Sequence, residues 1–170
     1  SENIRMLVDD EATDIEIIRA FQQWLPAMVQ AGQSDVYVFF AGHGLAAADG
    51  NGMFLLPTGG VSDLLERTAI RRSEMFDWLQ ASGARSVTVF LDTCFSGGTR
   101  GEETLVADRR GIGISAKDAS LPDSFTLITA AAGDQTSTSL PEAGQGLFSY
   151  FLMRGMEGDA DGNGDNKITA

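Results

Sequence analysis

The chain contains one cysteine and one histidine, and each follows an apolar run. His43 comes shortly after VYVFF at 36–40, and Cys94 comes shortly after SVTVFL at 86–91. A thiol becomes a useful nucleophile when a neighbouring base removes its proton, and an imidazole can take that proton and later protonate a leaving group. Together, these two residues have the chemistry for acyl transfer.

Both runs are rich in β-branched and aromatic residues, which is typical of strands buried in a parallel sheet. Ligands bind beyond the carboxyl ends of such strands, so we expect His43 and Cys94 to lie at the same edge. Taken alone, each residue has a structural alternative, the cysteine as a small buried apolar residue and the histidine as a hydrogen-bonded one. Their joint placement favours catalysis. Glycines lie near both residues and would let backbone amides approach a reacting carbonyl group. They are Gly42, Gly44, Gly97 and Gly98.

The rest of the chain alternates strand and helix patterns. IRMLV at 4–8 predicts a short strand, and a helix then begins at a capping box of Thr13 and Glu16, bends at Pro26 and ends near Gly32. Further patterns predict a segment at 53–57, a helix at 73–81, a strand at 124–132 and a helix at 146–156. This alternation predicts an α/β fold with a mostly parallel sheet.

Length and charge limit the function further. The 170 residues suit one domain, and the net charge of −12 disfavours nucleic acid and anionic membranes as partners. A lone cysteine forms no internal disulfide, which favours a reducing compartment, the cytoplasm. No apolar run approaches the roughly 18 residues of a membrane span, so we expect a soluble protein.

Two segments resemble the signature blocks of a known family. FFAGHG at 39–44 and LDTCFSGG at 91–98 are similar to those of caspase-like cysteine peptidases, nearest to bacterial metacaspase-like or orthocaspase members. The separation of 51 residues between histidine and cysteine matches the spacing of about 50 stated for caspases. Supporting similarities are FLLPTG at 54–59, ITAAAGDQTSTS at 128–139 and GQGLFSYFLMRGM at 144–156. The resemblance implies one domain over 1–170, a caspase-like three-layer α/β/α sandwich with a mostly parallel central sheet.

The resemblance also implies roles for individual residues. Cys94 would be the nucleophile and His43 the general acid/base, with the backbone amides of Gly44 and Cys94 as the oxyanion hole and no cofactor required for chemistry. Asp92 and Asp134 match acidic positions that receive a basic P1 side chain in metacaspases, where two carboxylates clamp a guanidinium. We therefore expect peptide and protein substrates cut after Arg, then Lys. The structural alternatives are a cap for Asp92 and a turn for Asp134.

The sequence departs from the metacaspase pattern at several positions. Ala41 stands where a pocket serine is usual. Members that use calcium carry carboxylates just after the FLLP-like segment and ahead of the next helix, where this chain has Thr58–Gly60 and Arg72–Glu74, so we do not expect that calcium site. The family also opens with a further strand and helix ahead of the part that matches 4–8. Because open apolar strand edges are costly, we expect a preceding segment, either cleaved from the chain's own precursor and retained as a partner or continuous with the chain ahead of residue 1.

Residues 99–123 show no clear period and are rich in glycine and charge, which predicts an exposed loop. Caspase-like zymogens are often cut between the strand that bears the cysteine and the next pocket strand. The alternative is a solvated loop that is never cut. Basic residues that could serve as self-cleavage sites are Arg100, Arg109, Arg110 and Lys117.

The tail at 159–170 resembles the start of a calcium-binding loop. Asp161, Asn163 and Asp165 fall at positions 1, 3 and 5 of an EF-hand pattern, but Asn166 replaces the glycine at position 6. The glutamate of position 12 would fall beyond Ala170, so the tail is half of a site. An acidic turn or linker is the alternative.

Two other functions fit parts of the sequence. A non-catalytic caspase-like adapter normally loses the histidine or the cysteine, and this chain keeps both. A calcium-responsive interaction module would make the tail the functional centre. The chain lacks both the G-x-x-x-x-G-K-[ST] loop of nucleotide-binding proteins and the G-x-S-x-G motif of serine hydrolases. The sequence therefore favours a cysteine endopeptidase.

We predict that the active protein cuts its own chain after Arg110, because the basic pair Arg109 and Arg110 lies in the predicted exposed loop at 99–123. Intact-mass spectrometry of the purified protein should find the two fragments, and neither Cys94→Ala nor Arg110→Gln should release them at this bond. An uncut loop in protein that cleaves peptides would contradict the prediction.

Overall fold

The computed structural model describes residues 2–47, 52–93, 95–97, 121–130, 139–140, 145–165 and 167, with the backbone alone at 95–97, 139–140 and 145–147. The chain divides into two compact units, Ser1–Thr136 and Ser137–Ala170. In the first unit the helices are α1 (Asp14–Arg19), α2 (Leu25–Met28), α3 (Leu65–Thr68) and α4 (Arg72–Ala81). Its strands are β1 (Asp35–Ala41), β2 (His43–Ala46), β3 (Met53–Leu56), β4 (Ile70–Arg71), β5 (Ser86–Asp92), β6 (Phe95–Gly97) and β7 (Phe125–Thr129).

The main sheet has the order β1-β5-β7, and both of its strand pairs are parallel. Asp35 pairs with Ser86 at one end of β1 and Ala41 pairs with Asp92 at the other. The predicted strands at 36–40 and 86–91 are confirmed, and the third forms over the first part of the predicted range 124–132. With helices packed against this sheet, the predicted α/β class with a parallel sheet is confirmed.

One face of the main sheet carries the core of this unit. Alternate residues of β5, namely Val87, Val89 and Leu91, pack in one cluster with Met75 and Leu79 of α4. A fully buried residue of this kind contributes about 1.5–3 kcal/mol relative to an exposed one. The π-helical turn Ala20–Trp24, which follows α1, contacts α4 over this face, where the rings of Phe21 and Trp78 lie 5.9 Å apart. The period-2 pattern therefore decides which face the helices cover.

The opposite face of β1 is more open. Tyr37 is 69% exposed and Phe39 is 53% exposed. Both residues alternate along the strand with core residues such as Val36 and Val38. Among the described residues, the first unit thus has one well-covered sheet face and one that retains exposed aromatic side chains.

The first helical run begins at the predicted cap, where Thr13 Oγ1 accepts a hydrogen bond from the Glu16 backbone N–H at 3.3 Å. A π-helical turn at Ala20–Trp24 joins α1 to α2 directly ahead of Pro26. Proline has no N–H to donate to the preceding turn, so the hydrogen-bond pattern must change there. The helical run ends at Met28, ahead of the predicted end near Gly32, and Val29 is already extended. Gly32 lies in the turn that follows, with a φ of +68° that suits glycine.

The predicted strand at 4–8 is wrong, because these residues form no strand in the structure. Ile4 and Met6 are each 71% exposed. An apolar run makes a strand only where a neighbouring chain accepts its backbone hydrogen bonds, and no described strand pairs with this segment.

A second sheet of the first unit has the order β4-β3-β2-β6. Strand β2 pairs antiparallel with β3 and parallel with β6, and the buried residues Phe54 and Leu55 anchor β3. The predicted segment at 53–57 is therefore an inner strand of this sheet, and the predicted helix at 73–81 is confirmed as α4.

The second unit contains β8 (Ser139–Leu140), β9 (Gln145–Gly146) and α5 (Leu147–Arg154). Helix α5 confirms most of the predicted helix at 146–156, and a π-helical turn at Gly155–Asp159 follows it. Arg154 Nε donates to Asp159 Oδ2 at 2.9 Å across this turn. In the part of the chain that is described, no helix has the length and apolar character needed to cross a bilayer.

A polar cluster fixes the first paired position of β1 and β5. The Asp35 carboxylate accepts hydrogen bonds from Arg85 Nε at 2.9 Å and from Ser86 Oγ at 2.6 Å, and Arg85 Nη2 also contacts it. The hydrogen bond from Arg85 is the main cause that lowers the pKa of Asp35, and the bond from Ser86 adds to it. The charged carboxylate thus supports the register of the parallel pair.

We predict that Asp35→Asn lowers the thermal midpoint at neutral pH. The pKa of Asp35 is lower in the folded state than in the unfolded state. Its contribution to the free energy of unfolding is therefore complete above the pKa of an unfolded aspartate, about 3.9, and is lost as the pH falls through the folded-state pKa. Thermal melts of the wild type and Asp35→Asn from pH 7 to pH 2 should therefore converge in acid. Asp77→Asn, on the exposed side of α4, is the control. A constant difference across this pH range would contradict the prediction.

Candidate active site

The candidate site lies where two neighbouring segments of the chain pass from the main sheet into the second sheet, one from β1 to β2 and the other from β5 to β6. Strands β1 and β5 end together at the Ala41–Asp92 pair, and β2 and β6 then run parallel with Gly44 paired to Phe95. Every paired position on both sides of this crossover is separated by 51 residues. The separation between His43 and Cys94 in the sequence is also 51. The carboxyl ends of β1 and β5 therefore share one edge of the main sheet.

Cys94 lies outside the described residues, and its neighbours Thr93 and Phe95 are described. The crossover around it is held by a hydrogen bond in which the Gly42 N–H donates to the Asp92 carbonyl oxygen at 3.2 Å. The chain segments that carry His43 and Cys94 are thus joined before, within and after the crossover.

Gly42 makes room for an aromatic ring directly ahead of His43. A Cβ at this position would lie 3.2 Å from both Cε1 and Cζ of Phe40. Phe40 belongs to the core side of β1, so the ring itself is held by packing. The absence of a side chain at Gly42 therefore lets β1 turn into β2 over this ring.

His43 is the first residue of β2, and its side chain is exposed. It pairs with Leu56 of β3, whose neighbour Leu55 is fully buried. His43 thus presents its side chain to solvent from a strand whose backbone is paired with a buried neighbour. This arrangement suits a general acid or base.

Gly44 is buried between two strands, paired with Leu55 on one side and Phe95 on the other.

Asp92 is half-buried at the end of β5. Beside it, the Ala130 N–H donates to the Leu91 carbonyl oxygen at 2.9 Å as the chain leaves β7. This chain leads to Asp134, which lies outside the described residues, as do Arg100, Arg109, Arg110 and Lys117.

Comparison with protein-family models matches this chain to the caspase domain over residues 3–168. The chain belongs to the caspase domain family. The predicted family of caspase-like cysteine peptidases and the fold that it implies are therefore confirmed. A search of curated proteins finds no match.

The caspase fold of this chain contains one polar group that the sequence analysis missed. Thr93, directly before the predicted nucleophile, is 2% exposed, and its Oγ1 has no hydrogen-bond partner among the described residues. The signal was present in the sequence, because Thr93 continues the alternate buried series of Val87, Val89 and Leu91. A valine would have been the ordinary choice at this position.

In the second unit of the caspase-like chain, the predicted calcium-binding residues form a hydrogen-bonded loop. Asp161 Oδ1 accepts from the N–H groups of Gly164 at 2.8 Å and Asp165 at 3.2 Å, and Asn163 Oδ1 also accepts from Asp165 at 3.2 Å. These bonds orient the side-chain oxygens around the backbone. Within the described ranges, no group of three or more histidine, cysteine, aspartate or glutamate side chains converges to hold a metal.

We predict that Gly42→Ala slows peptide cleavage by about 10- to 100-fold, because the new Cβ displaces the Phe40 ring or the chain at His43. The measurement is kcat on a peptide that the wild type cleaves. Phe40→Leu removes the two ring atoms in question, so Gly42→Ala should cost much less in that background. Equal losses in both backgrounds would show that crowding against Phe40 is not the cause.

Proposed function

We propose that this chain is a cysteine endopeptidase in which Cys94 and His43 form the catalytic dyad, and that it cleaves peptides after Arg more readily than after Lys. The observation that carries the proposal is the constant pairing offset of 51 on both sides of the crossover. The same offset separates the two residues in the sequence.

Neighbouring strands lie about 4.8 Å apart, so side chains at paired positions are within reach of each other. The Ala41–Asp92 and Gly44–Phe95 pairs bracket the two residues from both directions. This bracket supports a contact between the imidazole and the thiol. The exposure of His43 supports access of a peptide from the same side.

The reaction follows from these groups. The His43 imidazole takes the proton of the Cys94 thiol, and the thiolate attacks the carbonyl carbon of the peptide. The backbone N–H groups of Gly44 and Cys94 would receive the resulting oxyanion. The C–N bond then breaks as the imidazolium protonates the leaving amine, which gives a thioester. Water, deprotonated by His43, hydrolyses the thioester, and the acid product leaves while the thiol is restored.

The proposed preference for a basic P1 side chain rests on Asp92 and Asp134. Asp92 is half-buried beside the chain that leaves β7 towards residue 134, which supports a shared pocket. Two carboxylates can bind the fork of a guanidinium in a bidentate manner, and an ammonium fits them less specifically. The net charge of −12 also favours the approach of basic peptides.

We extend the proposal to regulation by the chain's own segments. Self-processing in the 99–123 loop would use the same preference for basic residues that the dyad applies to substrates. Calcium would bind at Asp161, Asn163 and Asp165 without taking part in the chemistry, and the oxygen-rich loop supports this role. A single catalytic thiol also suits the reducing conditions of the cytoplasm.

The proposal is tested with fluorogenic peptides that are identical except for Arg, Lys or Asp at P1. We expect the wild type to cleave the Arg peptide best and the Lys peptide second, and Cys94→Ala and His43→Ala to abolish both activities. Asp92→Asn and Asp134→Asn should each raise KM for the Arg peptide, because each removes one charge from the clamp. Parallel reactions with calcium and with a chelator test the tail.

The controls separate the parts of this proposal. Asp77→Asn removes a charge from the exposed side of α4 and should leave KM unchanged. Equal cleavage of the Arg and Asp peptides would contradict the acidic pocket alone. If folded protein cleaves none of the peptides, the proposed peptidase activity is contradicted and the alternative of a non-catalytic caspase-like adapter is favoured.

A further inference from the structure

Thr93 occupies a position where its hydroxyl has an energetic cost. The side chain continues the buried series of Val87, Val89 and Leu91 on the core side of β5, and it is 2% exposed. Its Oγ1 lacks a hydrogen-bond partner in the described parts of the chain. A buried hydroxyl that loses water without gaining a partner destabilises the folded state, whereas valine has nearly the same shape and no such cost.

The surroundings of Thr93 explain why the free protein leaves the hydroxyl unpaired. The constant offset of 51 puts Thr93 opposite Gly42, which has no side chain to offer. The Gly42 N–H is already directed to the Asp92 carbonyl oxygen. On the core side, the cluster that contains Leu91 consists of apolar residues.

We propose that Thr93 is a positioning residue for the reaction at Cys94, and that its buried hydroxyl forms its hydrogen bond only as the peptide reacts. This inference rests on the proposed function, because it assigns Thr93 to the backbone that presents the nucleophile. A threonine hydroxyl can donate one hydrogen bond and accept others, and such hydroxyls commonly bond to backbone groups nearby in the chain. Cys94 follows Thr93 directly.

An interaction that is absent from the free protein and present in the transition state raises kcat rather than lowering KM. The hydroxyl without a partner among the described residues fits this case, since its cost is carried by the free protein and relieved in the transition state. The hydroxyl would thereby hold the Cys94 peptide in the orientation that its N–H needs to receive the oxyanion. No group is transferred to or from Thr93 in this role.

The test compares Thr93→Val and Thr93→Ser with the wild type, using the cleaved peptide and thermal melts of the free protein. Thr93→Val is expected to lower kcat by about 10-fold or more with KM unchanged, and to leave the melting temperature equal or higher. Thr93→Ser keeps the hydroxyl and should retain most of kcat even if loss of the methyl lowers the melting temperature. Thr88→Val, on the other face of the same strand, is the matched control.

The outcomes separate this inference from the proposed function. Wild-type cleavage with normal kcat in Thr93→Val overturns the positioning role alone. A lower melting temperature in Thr93→Val also overturns it, because the hydroxyl would then be paired in the free protein. Equal losses of kcat in Thr93→Ser and Thr93→Val would assign the effect to packing of the methyl group. Absence of cleavage by the folded wild type overturns both proposals together.

Discussion

The parallel pairing of β1 with β5 is the constraint on which the rest of the site depends. The same two chains leave the main sheet together and pair again as β2 and β6 without any change of register. A change of one position would move every side chain of one strand to the other face. The unchanged offset therefore keeps the two segments in register on both sides of the crossover, from the Ala41–Asp92 pair to the Gly44–Phe95 pair.

Packing on one side of the main sheet makes this register stable. Helix α4 and the first helical run bury the alternate residues of β5, so a slipped strand would expose its apolar series to water. The Asp35 cluster adds a polar restraint at the opposite end of the same strand pair. Core packing, the polar restraint and the glycine at the crossover together hold the described ends of β1 and β5, from which the chain continues to His43 and to the predicted nucleophile.

Several local features of the site conflict with ordinary rules for stability. Gly42, directly before His43, has no side chain that could pack against Phe40. Thr93 buries a hydroxyl without a partner among the described residues, whereas an aliphatic residue has no such group. Such conflicts are expected where function, rather than packing, selects the residue. Both lie next to a member of the predicted catalytic pair, while Val87, Val89 and Leu91 of β5 are buried apolar residues on the core side.

The sequence by itself determined the α/β class, the two central strands and the family, because buried parallel strands and the two signature blocks are local patterns. It also determined the spacing of 51 residues, but the meaning of that spacing as a strand register appeared only when the two strands were paired in space. Tertiary structure alone decided that 4–8 forms no strand, since an apolar run cannot specify whether a partner is present. It also decided that Thr93 is buried with no hydrogen-bond partner for its hydroxyl among the described residues, because such bonds depend on which other parts of the chain reach that point.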